Sequence, residues 1–209
     1  MRVIKKGNKT RWLIHTGTHG DEFEVIDLVK KYIEKNKSRL PDFLWIPEVS
    51  PSAVALKTRK NIRGLDVNRN FFDDCDDAEV ESNLKIIKNK KFEIFISFHE
   101  DLTTDKFYLY DSEDFSKSSA LKNLYQKIAD LGVEFYDGLD DPNLGNIVKN
   151  GYVIEDSKDG QISVYIYKNK IANRVLIPEI PGKASPATKD KIVECLFEYL
   201  LSINSNALP

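Results

Sequence analysis

The chain has 209 residues with 31 basic and 33 acidic side chains, a formal net charge of −2, so it lacks the basic excess or basic tract of a nucleic-acid or anionic-membrane binder. Hydrophobic residues make up 41% and charged residues 31%, a globular balance that allows a real core, and a single domain over residues 1–209 is expected. The opening stretch MRVIKKGNKTRWLIHTG has no long apolar run of the signal-peptide kind, and nowhere does the chain approach the ~20 apolar residues that span a bilayer. With Cys75 and Cys195 too few for a disulfide framework, a reduced, cytoplasmic setting is expected. Cys75 lies in the acidic run FFDDCDDAE, which opposes thiolate formation, so it is a poor nucleophile.

In chain order, TRWLIHTG (10–17) reads as a buried strand and DEFEVIDLVKKYIEK (21–35) as a helix. In that helix Phe23, Ile26, Val29 and Ile33 recur at helical spacing, with acids at the front and lysines at the back. DFLWIPEV (42–49) is a second strand and VESNLKIIKNK (80–90) a short amphipathic helix. KFEIFISFHED (91–101) reads as a strand that ends on a histidine, and KFYLYD (106–111) as another strand. A helix over SSALKNLYQKIADLG (118–132) closes on Gly132. The segment between Asp137 and Lys170 carries no clear periodicity, and the alternating Tyr165 and Tyr167 read as strand packing. RVLIPEIPG (174–182) is a late strand and TKDKIVECLFEYLLS (188–202) a C-terminal helix. Strands alternating with helices predict an α/β fold, a three-layer sandwich with a central mixed, largely parallel sheet flanked by helices. Sites in such sheets collect at the carboxyl ends of strands, where His19, His99 and Glu179 all fall.

His19 and Glu22 are three residues apart at a strand-to-helix junction, a spacing that can aim both side chains at one ion. Two His, one Glu and an open fourth position is a common set in zinc hydrolases, and His99 in FISFHED is the obvious third donor. On these residues alone, the alternative stays open that His19 caps the helix and His99 lies on the surface. His15 alternates with apolar strand residues and reads as buried rather than ligating. The stretch TRKNIRGLDVNRNF (58–71) then gathers arginines and an aspartate around a glycine.

With that stretch included, the sequence resembles the zinc carboxypeptidase family of metallopeptidases, in the manner of its small bacterial members. HGDE is similar to the family's first ligand motif, GLDVNRNF to its substrate-carboxylate motif, SFHED to its last ligand motif, and PEIPG to its late strand with a catalytic glutamate. The four occur in the family's order and span most of the chain. The resemblance implies one Zn2+ held by His19, Glu22 and His99, and Asp66 as the carboxylate that orients a ligand histidine. It implies Asn68 and Arg69 on a substrate's terminal carboxylate, Arg59 on the oxyanion in preference to Arg63, and Glu179 as general base and acid. The implied substrate is a small peptide, a cell-wall peptide among them. Aspartoacylases and succinylglutamate desuccinylases share the HxxE pair, a D-x-N-R motif and a late glutamate, so an N-acyl amino acid substrate is the alternative. A non-catalytic carboxylate-binding module is a third reading, disfavoured by the complete donor set. Nothing in the sequence sets the oligomeric state.

Overall fold

The structure is a computed structural model that describes residues 1–9, 11–140, 145–154 and 159–205, with residues 204 and 205 described as backbone alone. Its strands are β1 Ile4–Lys6, β2 Trp12–His15, β3 Phe43–Ile46, β4 Phe92–Ser97, β5 His99–Asp101, β6 Tyr108–Asp111, β7 Gly138–Leu139, β8 Ile147–Val148, β9 Tyr152–Ile154 and β10 Ala172–Pro181. Its helices are α1 Glu24–Asn36, α2 Pro51–Leu56, α3 Ala78–Ile87, α4 Ser119–Asp130, α5 Ile162–Lys168 and α6 Pro186–Ser205. The main sheet runs β1-β3-β2-β4-β10-β6-β9, with β5 also paired to β10, while β7 and β8 form a separate ribbon. β3, β2, β4 and β10 are parallel neighbours; β1 joins β3, and β6 joins β10, in antiparallel fashion.

The inner strands are apolar on both faces because both faces are covered. Trp12 and Ile14 of β2 point into one core with Val25 and Val29 of α1, Leu124 of α4 and Phe197 of α6. Leu13, between them, points into the opposite core with Val80 and Leu84 of α3 and Ile162 and Ile166 of α5. This strict period of two is what makes the sandwich three layers thick. Helix starts follow local chemistry: Asp77 caps α3 by accepting from Glu79 and Val80, an interaction typically worth ~1 kcal/mol, and Ser118 caps α4 by accepting from Leu121. No helix among the described residues is long and apolar enough to cross a membrane.

Some elements differ from the sequence reading. β1 and α2 were not anticipated. The strand expected over 91–101 is two: β4 runs along β2 as far as Ser97, and after Phe98 the chain continues as β5 against β10 only. Tyr165 and Tyr167 sit on helix α5 rather than on a strand, because Ile162 and Ile166, one turn apart, dock into the core beneath the sheet. Within the segment left open at 137–170, the described residues form β7, β8, β9 and α5.

Candidate metal centre and cleft

The turn that follows β2 is shaped by two glycines. Gly17 adopts φ +60°, open to glycine at little cost, and Gly20 lies so close to α2 that a Cβ there would stand 1.8 Å from the Ala53 carbonyl oxygen. The close approach fixes the turn carrying His19 and Glu22, which lie just ahead of α1 rather than in its first turn. His99 opens β5, and the parallel register of β5 with β10 sets Glu179 directly beside it. Asp66 precedes a 3-10 turn at Val67–Arg69 and accepts the Asn68 backbone N–H at 2.9 Å, so its carboxylate is locally held.

These segments converge. His19 Nδ1 lies 2.5 Å from one Glu22 oxygen and His99 Nδ1 lies 2.8 Å from the other. All three side chains are buried, and one potential ligand atom from each falls within 4.8 Å of the others, the one such His/Cys/Asp/Glu cluster among the described residues. The remaining nitrogen of each imidazole has an anchor: His19 Nε2 faces Asp66 Oδ1 at 3.3 Å and His99 Nε2 faces Ser97 Oγ at 3.2 Å. Two imidazoles and a carboxylate with their outer atoms engaged fit a metal ion of the zinc type. Arg59 stands at the rim, with Nε 3.1 Å from Asp66 Oδ2 and Nη1 3.9 Å from Glu22.

The electrostatics of the cluster tell the same story. Burial works against a charged His19, yet the Glu22 carboxylate, with Asp66, raises its pKa to about 9. Burial likewise pushes Glu22 up, but His19 and His99 pull it well below the carboxylate range, and Asp66 is depressed by His19, Arg59 and Arg69 against its own burial. Glu179 behaves oppositely: burial and the carboxylates of Glu22, Asp140 and Asp101 hold its pKa well above normal.

His19, Glu22, Arg59, Asp66, Asn68, Arg69, His99 and Glu179 all line one cleft of about 740 Å³. Asn68 Oδ1 accepts the Ile162 N–H at the start of α5, which leaves its amide NH2 for the cleft; Arg69 donates to the Asn68 carbonyl at 3.0 Å. Arg63 is turned away onto Asp76 and Asp77, so of the two arginines weighed for the oxyanion only Arg59 reaches the cluster. Tyr165 donates to Asp73 and Tyr167 is exposed; neither lines the cleft. His15 is fully buried edge-on to Phe95 with neither ring nitrogen hydrogen-bonded, and burial, with His99 nearby, lowers its pKa to about 3. Sequence reading missed Tyr108, Tyr110, Asp101 and Asp140, which wall the cleft beside Glu179. Tyr108 donates to Asp140 at 2.7 Å and lies 2.9 Å from Asp101, and Tyr110 also donates to Asp140. The alternation in FYLYD was the available signal for the two tyrosines.

No protein-family model matches the sequence, and no curated protein does. Solved structures do. A candidate metallopeptidase from Shewanella amazonensis SB2B superposes with a TM-score of 0.75 at 17% identity, covering 96% of this chain and 81% of that one. A metallo-carboxypeptidase from Burkholderia cenocepacia gives 0.70 at 14% identity, covering 98% of this chain and 61% of the other. A succinylglutamate desuccinylase/aspartoacylase from Rhodobacter sphaeroides gives 0.60 at 16%, covering 97% and 58%. The chain therefore has the fold of the zinc carboxypeptidases and their deacylase relatives, and spans about three fifths of the length of the latter two structures.

Proposed function

We propose that this chain is a zinc-dependent hydrolase that cleaves an amide bond next to a free carboxylate, a metallocarboxypeptidase acting on peptides or cell-wall peptides. The observation that carries the reading is the division of charge within one cleft. Buried His19, Glu22 and His99 offer a cation seat, and Glu179 stands beside His99 with its pKa pushed up. A zinc ion held by those three would acidify a water molecule and polarise the substrate carbonyl. Glu179, set beside His99, receives the proton as water attacks and returns it to the departing amine. Arg59, beside the cluster, offers N–H groups to the developing oxyanion. Arg69 and Asn68 hold the substrate's carboxylate, the guanidinium by its paired N–H groups and the amide by its NH2. Asp66 keeps His19 oriented through Nε2.

The deacylase reading is supported by the likeness to the desuccinylase/aspartoacylase structure, weaker in TM-score than the peptidase ones. The test is to load purified protein with zinc, desalt it and count metal, then assay it. About one zinc per chain, lost in His19→Ala or His99→Ala, is expected, with cleavage of peptides bearing a free C-terminus and none of their amidated twins. Turnover of N-acetylaspartate or N-succinylglutamate, with no amino acid released from any peptide, reverses the choice between the two. Retention of less than a tenth of an equivalent of zinc removes the catalytic reading, leaving the carboxylate-binding module.

A further inference from the structure

We infer that Glu100 and Lys189 form a buried strut that sets the distance between the two halves of the metal centre. The inference rests on the proposed metal site and concerns two residues that are not among its proposed ligands. Glu100 follows His99 on β5, so the two side chains leave the strand in opposite directions. Its backbone N–H donates to Glu22 Oε2 at 3.2 Å, and its side-chain Oε2 accepts the Val25 N–H at 3.1 Å, in the first turn of α1. One residue thus binds the strand that carries His99 both to the Glu22 carboxylate and to the helix just behind His19 and Glu22.

Lys189 closes the strut from α6. Its Nζ lies 2.8 Å from Glu100 Oε1 and 2.7 Å from Glu24 Oε2, and both Lys189 and Glu100 are 3% exposed. The lysine supplies the countercharge for the Glu100 and Glu24 carboxylates together. A buried ion pair adds little net stability over apolar groups of the same volume, so stability alone does not account for it. What it does supply is fixed geometry: a strand end, a helix start and a third element meet at hydrogen-bonding distances, beside the one place where three ligand atoms must keep their spacing.

The experiment compares wild type with Lys189→Met and Glu100→Gln, using Asp111→Asn as a control. Asp111 is fully buried in an ion pair with Arg174 and does not line the cleft. Zinc and cobalt affinities are measured by chelator competition, the visible spectrum of the cobalt form is recorded, and each protein is melted without metal. Lys189→Met and Glu100→Gln are expected to lose ~10–100-fold in metal affinity and to show an altered cobalt spectrum. Asp111→Asn is expected to melt earlier and bind metal as wild type does. If either strut variant does not fold, Glu100→Asp keeps the charge but shortens the strut by one methylene, and the same loss in weaker form is expected. Wild-type affinity and spectrum in folded Lys189→Met, Glu100→Gln or Glu100→Asp would show a purely structural pair and overturn the inference. Wild type that binds neither ion overturns it too, and by a different route, since the metal centre itself then falls.

Discussion

The two sides of the cleft use the same kinds of group to opposite ends. On the histidine side, Glu22 and Asp66 are ringed by His19, His99 and Arg59, which pull both carboxylate pKa values down, while the carboxylates raise that of His19 to about 9. On the strand-β10 side, Glu179 faces Glu22, Asp140 and Asp101, and Tyr108 and Tyr110 supply neutral hydroxyls to Asp140. Its pKa is pushed up instead. Neighbouring carboxylates whose surroundings push their pKa values apart mark one as an electrostatic partner and the other as a proton carrier. The lesson is that the opposite pKa directions of Glu22 and Glu179 follow from their neighbours and not from residue type.

The sharpest way to break this comparison is Glu179→Gln, which removes the proposed proton carrier and keeps its size. Metal content and melting temperature should hardly move, while kcat falls by about two to four orders of magnitude. A Gln variant with near-normal kcat on a verified substrate would take Glu179 out of the reaction. Next in size is Arg69→Lys, which keeps the charge and loses the paired N–H geometry. A raised KM with a smaller change in kcat is expected on peptides with a free C-terminus; equal loss on amidated peptides would show that Arg69 does not read the carboxylate. Asp140→Asn sharpens the comparison, because Asp140 is one of the carboxylates that raise Glu179. Removing that charge lowers the Glu179 pKa, so the acidic limb of the kcat/KM profile should move to lower pH. An unmoved limb would assign it to another group.

The smallest effect concerns His15, buried at the end of β2 and not among the residues that line the cleft. Its folded pKa of about 3 is below the ordinary 6.5, so the unfolded chain binds the extra proton as pH falls. Its neutral form contributes full stability above pH 6.5, and that contribution is lost progressively between about 6.5 and 3. His15→Leu should flatten this slope, read as urea midpoints at pH 7.5 and pH 5. Because neither ring nitrogen has a hydrogen-bond partner, the variant should be at least as stable as wild type at pH 7.5. A variant with the wild-type slope would place the acid sensitivity elsewhere.

The sequence by itself determined what depends on local pattern and on residue chemistry. Uniformly apolar runs such as WLIH and FLWI had to be covered on both faces, so the layered fold was legible; in the first helix Val29 and Ile33 of the expected stripe face the core, while Val25 is buried there and Phe23 and Ile26 are only half-buried. The residues that meet in the cleft were legible for a second reason: imidazoles, a lone carboxylate in an apolar strand and an Asp-x-Asn-Arg run are rare choices that a solvated turn does not require. Short elements escaped because three residues of β1 or six of α2 carry too few periods to register, and α5 escaped because ISVYIYK reads equally as strand until Ile162 and Ile166 find a core. Only the tertiary structure decided which polar groups share space. The antiparallel pairing of β6 with β10 sets Tyr108 opposite Glu179, and α6 brings Lys189 to Glu100 from 89 residues away. Those contacts depend on register and on long-range packing, and the pKa values of the cleft depend on them in turn, because charge interactions fall off with distances that no local sequence window contains.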